Sequence, residues 1–173
     1  MVGNEKENME NSRVLVVGLG RSGIAAAEAL KRLKADVSVY DSKFSEEKAS
    51  WAEKNGFPFS FGERPDPVRG FDMLVLSPGV PTDADFVEEA RESGAEITGE
   101  LELAYRFGRG KYIAITGTNG KTTTTTLVGE IFRNAGKKTE VVGNIGVAVM
   151  SKALDSDEDT YLVTECSSFQ LET

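Results

Sequence analysis

The chain has 173 residues, 28 acidic against 20 basic side chains, a formal charge of -8 and 39% apolar residues. At about 150 residues per domain this allows one domain or two small ones; the composition excludes a disordered or fibrous chain, and the acidic balance argues against broad binding to nucleic acid or anionic membrane. A single cysteine, Cys166, rules out an intramolecular disulfide, and the absence of histidine excludes a Ser-His-Asp triad, histidine general-base catalysis and histidine metal ligation within these residues.

The first twelve residues, MVGNEKENMENS, are polar and acidic, the opposite of a signal peptide, and read as a flexible lead-in over 1–12. No apolar run approaches the ~18 residues of a membrane span, so the expected location is cytoplasmic. Short apolar runs then alternate with helical stretches, the signature of a parallel α/β sheet. Residues 13–17 (RVLVV) make a first strand, a helix runs from about Ser22 to Lys34, and 36–40 (DVSVY) make a second strand ending at Asp41. A helix over 45–54 stops at Asn55-Gly56. The alternation in FPFSF puts Phe57, Phe59 and Phe61 on one buried face of a short strand. Then come strand 73–77, a helix from Asp83 to Ser93, the short strand AEITG and a helix from Glu100 to Phe107. Behind Gly108-Arg109-Gly110 the pattern restarts with strand 111–115, a helix over 122–135, and strands 139–143 and 161–165. The expected organisation is a Rossmann-like parallel-sheet domain over 13–108, followed by the first part of a P-loop NTPase-like α/β domain over 109–173. Such a second unit has little interior, and its last strand is expected to leave an unpaired edge. A truncated chain with a marginal second unit is the reading we favour.

Four motifs sit at the carboxyl ends of these strands. In Gly18-Leu19-Gly20-Arg21-Ser22-Gly23, Gly18 permits a tight turn, Gly20 admits a ligand to the backbone, and Gly23 permits close helix–strand packing. The adjoining helix offers N–H groups to a diphosphate, and Asp41 is placed to accept from a ribose hydroxyl. The ligand is a dinucleotide or a nucleotide-sugar; the bland alternative is a packing turn with a solvated aspartate. In Thr116-Gly117-Thr118-Asn119-Gly120-Lys121-Thr122-Thr123 the loop amides would wrap phosphate, Lys121 would reach the β/γ-phosphates and the Thr122 hydroxyl would bind Mg²⁺. Ile115 occupies the first glycine of the usual P-loop spacing, so this is a shorter variant. The threonines at 123–126 are poor helix formers, costing about 0.5 kcal/mol each relative to alanine, so a purely structural helix start gains little from them. Glu165, at the end of strand YLVTE and before Cys166-Ser167-Ser168-Phe169-Gln170, is an oxygen ligand suited to a second Mg²⁺ contact. Gly143-Asn144-Ile145-Gly146 and Ser77-Pro78-Gly79 either line clefts or simply turn the chain.

These motifs, in this order, resemble the Mur ligases, the ATP-dependent amino-acid-adding enzymes of peptidoglycan synthesis. TGTNGKTT resembles the family's short P-loop, and GLGRSG, SPGV, GNIG and ECSSFQLE look like its D-glutamate-adding branch. The resemblance covers about Val14 to Thr173. It implies that the first domain holds the UDP moiety of UDP-N-acetylmuramoyl-L-alanine rather than NAD. Gly20, Arg21 and Ser22 match positions that meet uracil and diphosphate, within the turn from Gly18 to Gly23. Asp41, Ser42 and Lys43 match a second uridine-binding segment, and Ser77, Asn144 and Gln170 match contacts to the diphosphate and sugar. Gly117, Thr118, Asn119, Gly120, Lys121, Thr122 and Thr123 match the ATP loop; Lys121 is implied as the phosphate-binding catalytic lysine, Thr122 and Glu165 as Mg²⁺ ligands. Cys166 stands where leucine is common and Lys43 where arginine is common.

The reaction implied is phosphorylation of the L-alanyl carboxylate by ATP, followed by attack of the D-glutamate amine on the acyl-phosphate, in a cytoplasmic monomer with no nucleic acid or membrane partner. The resemblance also implies that the rest of the ATP domain and a C-terminal amino-acid-binding domain are missing, so the fragment itself is expected to be inactive. Two alternatives stay open: a stand-alone UDP-sugar or nucleotide-binding module, and an NAD(P)-binding oxidoreductase or sensor domain.

Overall fold

The computed structural model describes residues 8–171 and divides into two compact units, Asn8–Glu100 and the residues from Leu101 onward. In the first unit β1 (Arg13–Val17), β2 (Asp36–Asp41), β3 (Phe59–Phe61), β4 (Met73–Leu76) and β5 (Glu96–Gly99) form one all-parallel sheet in the order β3-β2-β1-β4-β5. The central strands RVLVV and MLVL are buried through almost their whole length, as parallel strands covered on both faces must be. Helix α1 (Arg21–Arg32) buries Gly23, Ala25, Ala26, Ala27, Ala29 and Leu30; alanines and a glycine on that face let it lie close to the sheet. Helix α2 (Glu46–Asn55) starts where Ser45 accepts the Lys48 N–H on its side chain, and stops at Gly56 in the left-handed conformation. Helix α3 (Asp85–Glu92) buries Val87 and Ala90.

Three expectations change. Residues 8–12 form a hydrogen-bonded turn with Met9 buried rather than a loose lead-in: Ser12 N–H donates to the Met9 carbonyl and Asn11 N–H to that of Lys34. Residues 1–7 lie outside the described residues. The three phenylalanines do not share a buried face. β3 is an edge strand, so Phe59 stays 43% exposed and stacks edgewise on Phe61, which meets Phe44 in the same way; only Phe57 is buried, against Trp51. The unit boundary also falls at Glu100/Leu101 rather than near Gly108. Helix α4 (Glu100–Phe107) groups with the later strands because the Tyr112 phenol donates to the Ala104 carbonyl and Tyr105 packs edgewise on Tyr112.

The second unit holds β6 (Lys111–Ile115), α5 (Lys121–Asn134), β7 (Thr139–Gly143), α6 (Met150–Ala153), β8 (Tyr161–Glu165) and a 3-10 turn over Ser168–Leu171. Its sheet is parallel in the order β6-β8-β7. The last strand is therefore not an edge, as the chain order suggested; β8 inserts between the other two and is buried from Leu162 to Glu165. Leu162, Val163 and Thr164 pair with β6 on one side and β7 on the other, and the register sets Glu165 level with both Ile115 and Gly143.

Candidate nucleotide sites

In the first unit the strand order reverses between β1 and β4, and ligands of open parallel sheets bind outside the carboxyl ends at such a switch. A cleft of about 530 Å³ lies there, lined by Gly18, Gly20, Arg21 and Ser22 after β1, by Asp41, Ser42 and Lys43 after β2, and by Ser77 to Pro81 after β4. Tyr40, Glu63 and Phe86 complete its wall. The structure thus brings together every first-unit residue singled out from sequence except Gly23, which works behind the wall. A Cβ at Gly23 would stand 1.9 Å from the Gly18 carbonyl oxygen, so the third glycine is the packing glycine it was expected to be. Gly18 has φ +90°, and its N–H donates to the Tyr40 carbonyl while its own carbonyl accepts from the Ser77 hydroxyl at 2.7 Å.

Gly20 and Gly79 are different. Gly20 has extended backbone that any residue adopts (φ -83°, ψ -173°), and a Cβ added at either glycine would meet no protein atom within 4 Å. Neither backbone conformation nor packing calls for glycine at these two positions in the cleft lining. Gly20 also stands at the start of a helix, where first-turn N–H groups are of a kind that suits a diphosphate.

Asp41 is more occupied than sequence reasoning foresaw. Its Oδ2 accepts the Leu19 N–H at 2.7 Å and the Lys48 ammonium at 2.6 Å, and its Oδ1 accepts the Lys43 N–H at 2.9 Å. Burial alone would push this carboxyl up, but the Lys48 hydrogen bond, the Lys43 and Leu19 amides and the Lys48 charge outweigh it and hold Asp41 below the usual carboxylate range. Burial and the Asp41 charge raise the neighbouring Tyr40 phenol, which donates to the Gly62 carbonyl at 2.6 Å. A carboxylate has about four lone-pair directions, and three of those of Asp41 are taken by Leu19, Lys43 and Lys48. Lys48 carried no motif signal, being an ordinary polar residue in the first turn of a surface helix.

In the second unit the phosphate-type loop is exposed and runs from β6 into α5. Gly117 (φ +148°) and Gly120 (φ +76°) take backbone conformations that side chains disfavour, and Gly120 caps α5 directly. The helix begins at Lys121, one residue earlier than expected, so the N-terminal amides and Lys121 project from the same turn. Lys121 Nζ donates to the Gly117 carbonyl at 2.8 Å, back across the loop. Thr118, Asn119 and Thr123 lie in the exposed loop and first turn. The Thr122 hydroxyl donates to Glu165 Oε2 at 2.8 Å, joining the start of α5 to the end of the central strand. Thr122 and Glu165 thus bring together one hydroxyl and one carboxylate, oxygen donors of the kind that suit Mg²⁺.

Asn144 and Gln170 lie in this second unit. The Asn144 N–H donates to the Glu165 carbonyl, setting the GNIG turn against the strand end, and the Gln170 side chain accepts from the Ser167 N–H and hydroxyl. Cys166 is buried, its thiol directed at the Thr164 carbonyl. No helix among the described residues is long and apolar enough to cross a membrane.

Two family descriptions match the chain along these lines. Residues 12–99 match the Mur ligase MurD-like N-terminal domain and residues 115–173 the Mur ligase middle domain. The chain belongs to the Mur ligase family. It is 49% identical over 172 residues to the UDP-N-acetylmuramoylalanine–D-glutamate ligase of Alkaliphilus oremlandii, and 47% identical over 169 residues to that of Thermoanaerobacter sp.. These alignments take in 96% and 95% of this chain, but only 38% and 37% of those relatives' lengths. Among solved structures, the UDP-N-acetylmuramate–alanine ligase of Thermotoga maritima aligns over 90% of this chain and 37% of its own, at TM-score 0.54 and 23% identity. The UDP-N-acetylmuramate:L-alanyl-γ-D-glutamyl-meso-diaminopimelate ligase of Neisseria meningitidis aligns over 90% of this chain and 52% of its own, at TM-score 0.56 and 20% identity. At such identities these two show the shared Mur ligase fold.

Proposed function

We propose that the chain carries the UDP-substrate domain and the ATP-phosphate loop of a ligase that adds D-glutamate to UDP-N-acetylmuramoyl-L-alanine in peptidoglycan synthesis. The observation that carries the reading is the pair Gly20 and Gly79, glycines that neither backbone nor packing needs, facing a cleft at the sheet's switch point. The relatives' names supply the substrate class, and the second unit's loop supplies a partner site for ATP. In this reading Gly18 and Gly23 shape the turn, Gly20, Arg21 and Ser22 meet the uracil and diphosphate, and Asp41, Ser42 and Lys43 hold the uridine. Ser77 contacts the diphosphate. The amides from Gly117 to Thr123 cradle the ATP phosphates.

The chemistry expected of such a site is electrostatic positioning. ATP transfers its γ-phosphoryl group to the L-alanyl carboxylate, and the D-glutamate amine displaces phosphate from the acyl-phosphate. Lys121, released from the Gly117 carbonyl, offsets charge on the transferring group, and the α5 amides do the same without reorganisation. Thr122 and Glu165 would hold Mg²⁺, which supplies charge neutralisation between the phosphates. No side-chain nucleophile is needed. The setting that suits this chemistry is a cytoplasmic monomer working on small molecules, without nucleic acid or membrane partners.

Calorimetric titration of the 173-residue chain with UDP, with Mg-ATP and with NADH tests the reading. UDP and Mg-ATP are expected to bind and NADH not. Lys121→Ala should weaken ATP at least about tenfold and leave UDP unchanged, since an interaction with a charged group contributes about 1.5–3 kcal/mol. Gly20→Ala should weaken UDP with little change in melting temperature, because the added Cβ meets no protein atom within 4 Å. Binding of NADH in place of UDP would overturn the substrate assignment. With 38% of its relatives' length, the chain is expected to bind both nucleotides without ligating D-glutamate, and product formed by this chain alone would contradict that.

A further inference from the structure

Resting on the reading of the first cleft as a uridine site, we propose that Lys48 is a positioning residue for that site: its ammonium locks Asp41 as the tie between the glycine turn after β1 and the Ser42–Lys43 segment after β2. The two segments leave neighbouring strands, whose pairing runs out at Val17 and Tyr40 and at the Gly18 N–H on the Tyr40 carbonyl. Beyond that point one buried carboxylate joins them, with Leu19 N–H on Oδ2 and Lys43 N–H on Oδ1. Both amides belong to residues flanking positions that line the cleft or line it themselves. Lys48 comes from a third element, α2, whose start is fixed by the Ser45 cap, and its Nζ reaches Oδ2 at 2.6 Å with the lysine side chain 28% and the aspartate side chain 10% exposed.

Lys48 does not itself line the cleft, whereas the cations Arg21 and Lys43 do, together with the carboxylate of Glu63 on the other wall. The charge beside Asp41 is thus divided. Arg21 and Lys43 line the space an anionic ligand would take, and Lys48, outside that lining, neutralises the carboxylate that would otherwise repel the ligand. A cleft built to grip a diphosphate can hold a buried aspartate at its floor only if that negative charge is matched within the protein. The arrangement also leaves the ends of the Asp41 carboxylate oriented by three fixed donors, so the remaining lone pair points in one defined direction.

The test compares UDP with uridine on the 173-residue chain carrying Lys48→Met, Lys48→Arg and, as a second route to the same tie, Asp41→Asn. A positioning residue acts on the whole site, so Lys48→Met should weaken UDP and uridine by the same factor, about tenfold, and Lys48→Arg should recover most of it. The Leu19 and Lys43 amides should exchange with solvent faster in Lys48→Met while those of β1 do not, a readout that loss of general stability would not produce. Asp41→Asn, which removes the tie and a uridine contact together, should lose at least as much affinity as Lys48→Met and show the same faster exchange. A loss confined to UDP would make Lys48 a phosphate ligand and overturn the proposal, as would unchanged affinity in Lys48→Met. Wild-type chain that binds neither UDP nor uridine would end the uridine reading and this proposal together, whereas normal wild-type binding with an indifferent Lys48→Met ends only the latter.

Discussion

Both units join a first strand to a helix through a glycine-rich turn, and they arrive at different degrees of closure. In the first, five strands bury β4 fully and β1 from Val14 onward, and Leu30 and Leu74 are completely buried. In the second, three strands leave β6 partly exposed along its length, and α5 shows Leu127 at 59% and Ile131 at 55% exposure. Yet the second unit places its site residues at its best-buried strand, because β8 sits in the middle with Glu165 at its end. Local order at a site therefore depends on where its strand lies in the sheet more than on how large the sheet is.

The largest effects should come from two glycines where main chain meets main chain most closely. A Cβ at Gly23 would stand 1.9 Å from the Gly18 oxygen, and one at Gly143 would stand 2.2 Å from the Glu165 oxygen on a backbone at φ +106°. Gly23→Ala and Gly143→Ala should each cost about 3 kcal/mol or more in chemical denaturation, since backbone cannot yield as a flexible side chain does. A tolerated Gly143→Ala would mean that the end of β7 does not approach β8 as closely as the first unit's turn approaches its own neighbours.

Native-state hydrogen exchange sharpens the same contrast at smaller amplitude. Amides of 13–17 should exchange only through global opening, and those of 111–115 at least about tenfold faster, a gap of about 1.4 kcal/mol. Equal protection would show that the three-stranded sheet is as well closed as the five-stranded one.

How far this was visible in the chain depends on the same difference. Strands flanked by helices on both faces announce themselves as apolar runs, so 13–17, 73–76 and 161–165 were legible, and the glycine turns behind them carried the site. Strand order is not written in such runs. Nothing in YLVTE distinguishes a central strand from a terminal one, which is why β8 was expected at an edge. Alternation misled at FPFSF because an edge strand presents aromatic rings to each other rather than to a core. Lys48 was invisible because an ion pair between a helix and a strand seven residues earlier has no motif; the only hint was an acidic residue at a strand end that had to be neutralised by something.

Asp41 offers an intermediate effect that separates the units by pH. Its carboxyl is held below the ordinary range in the folded protein, so its stabilising contribution is complete above the unfolded value of about 3.9 and is lost as pH falls through the folded value. Asp41→Asn should flatten that acid-side loss in the first unit. In the second, Asp157 is lowered to about 2 by hydrogen bonds from Lys138 and Thr160, so a chemical-shift titration of the two carboxylates should leave both ionised at pH 5.

The smallest effect is expected where the contrast is most exposed. Leu127 and Ile131 are one helical turn apart on α5, the helix that carries Lys121 and Thr122 at its other end. With more than half their surface in water, their replacement removes little burial, so Leu127→Lys should shift stability by no more than about 0.5 kcal/mol. Leu30→Ala in the first unit should cost about 3 kcal/mol by the same measurement, through both lost transfer energy and the cavity left behind. The helix start is held independently of that face, by Gly120, by the Thr125 hydroxyl on the Lys121 carbonyl and by Thr122 on Glu165. ATP affinity should therefore be indifferent to Leu127→Lys. A loss of several kcal/mol there would mean that the exposed stripe is covered in solution, and that the second unit is better closed than its three strands suggest.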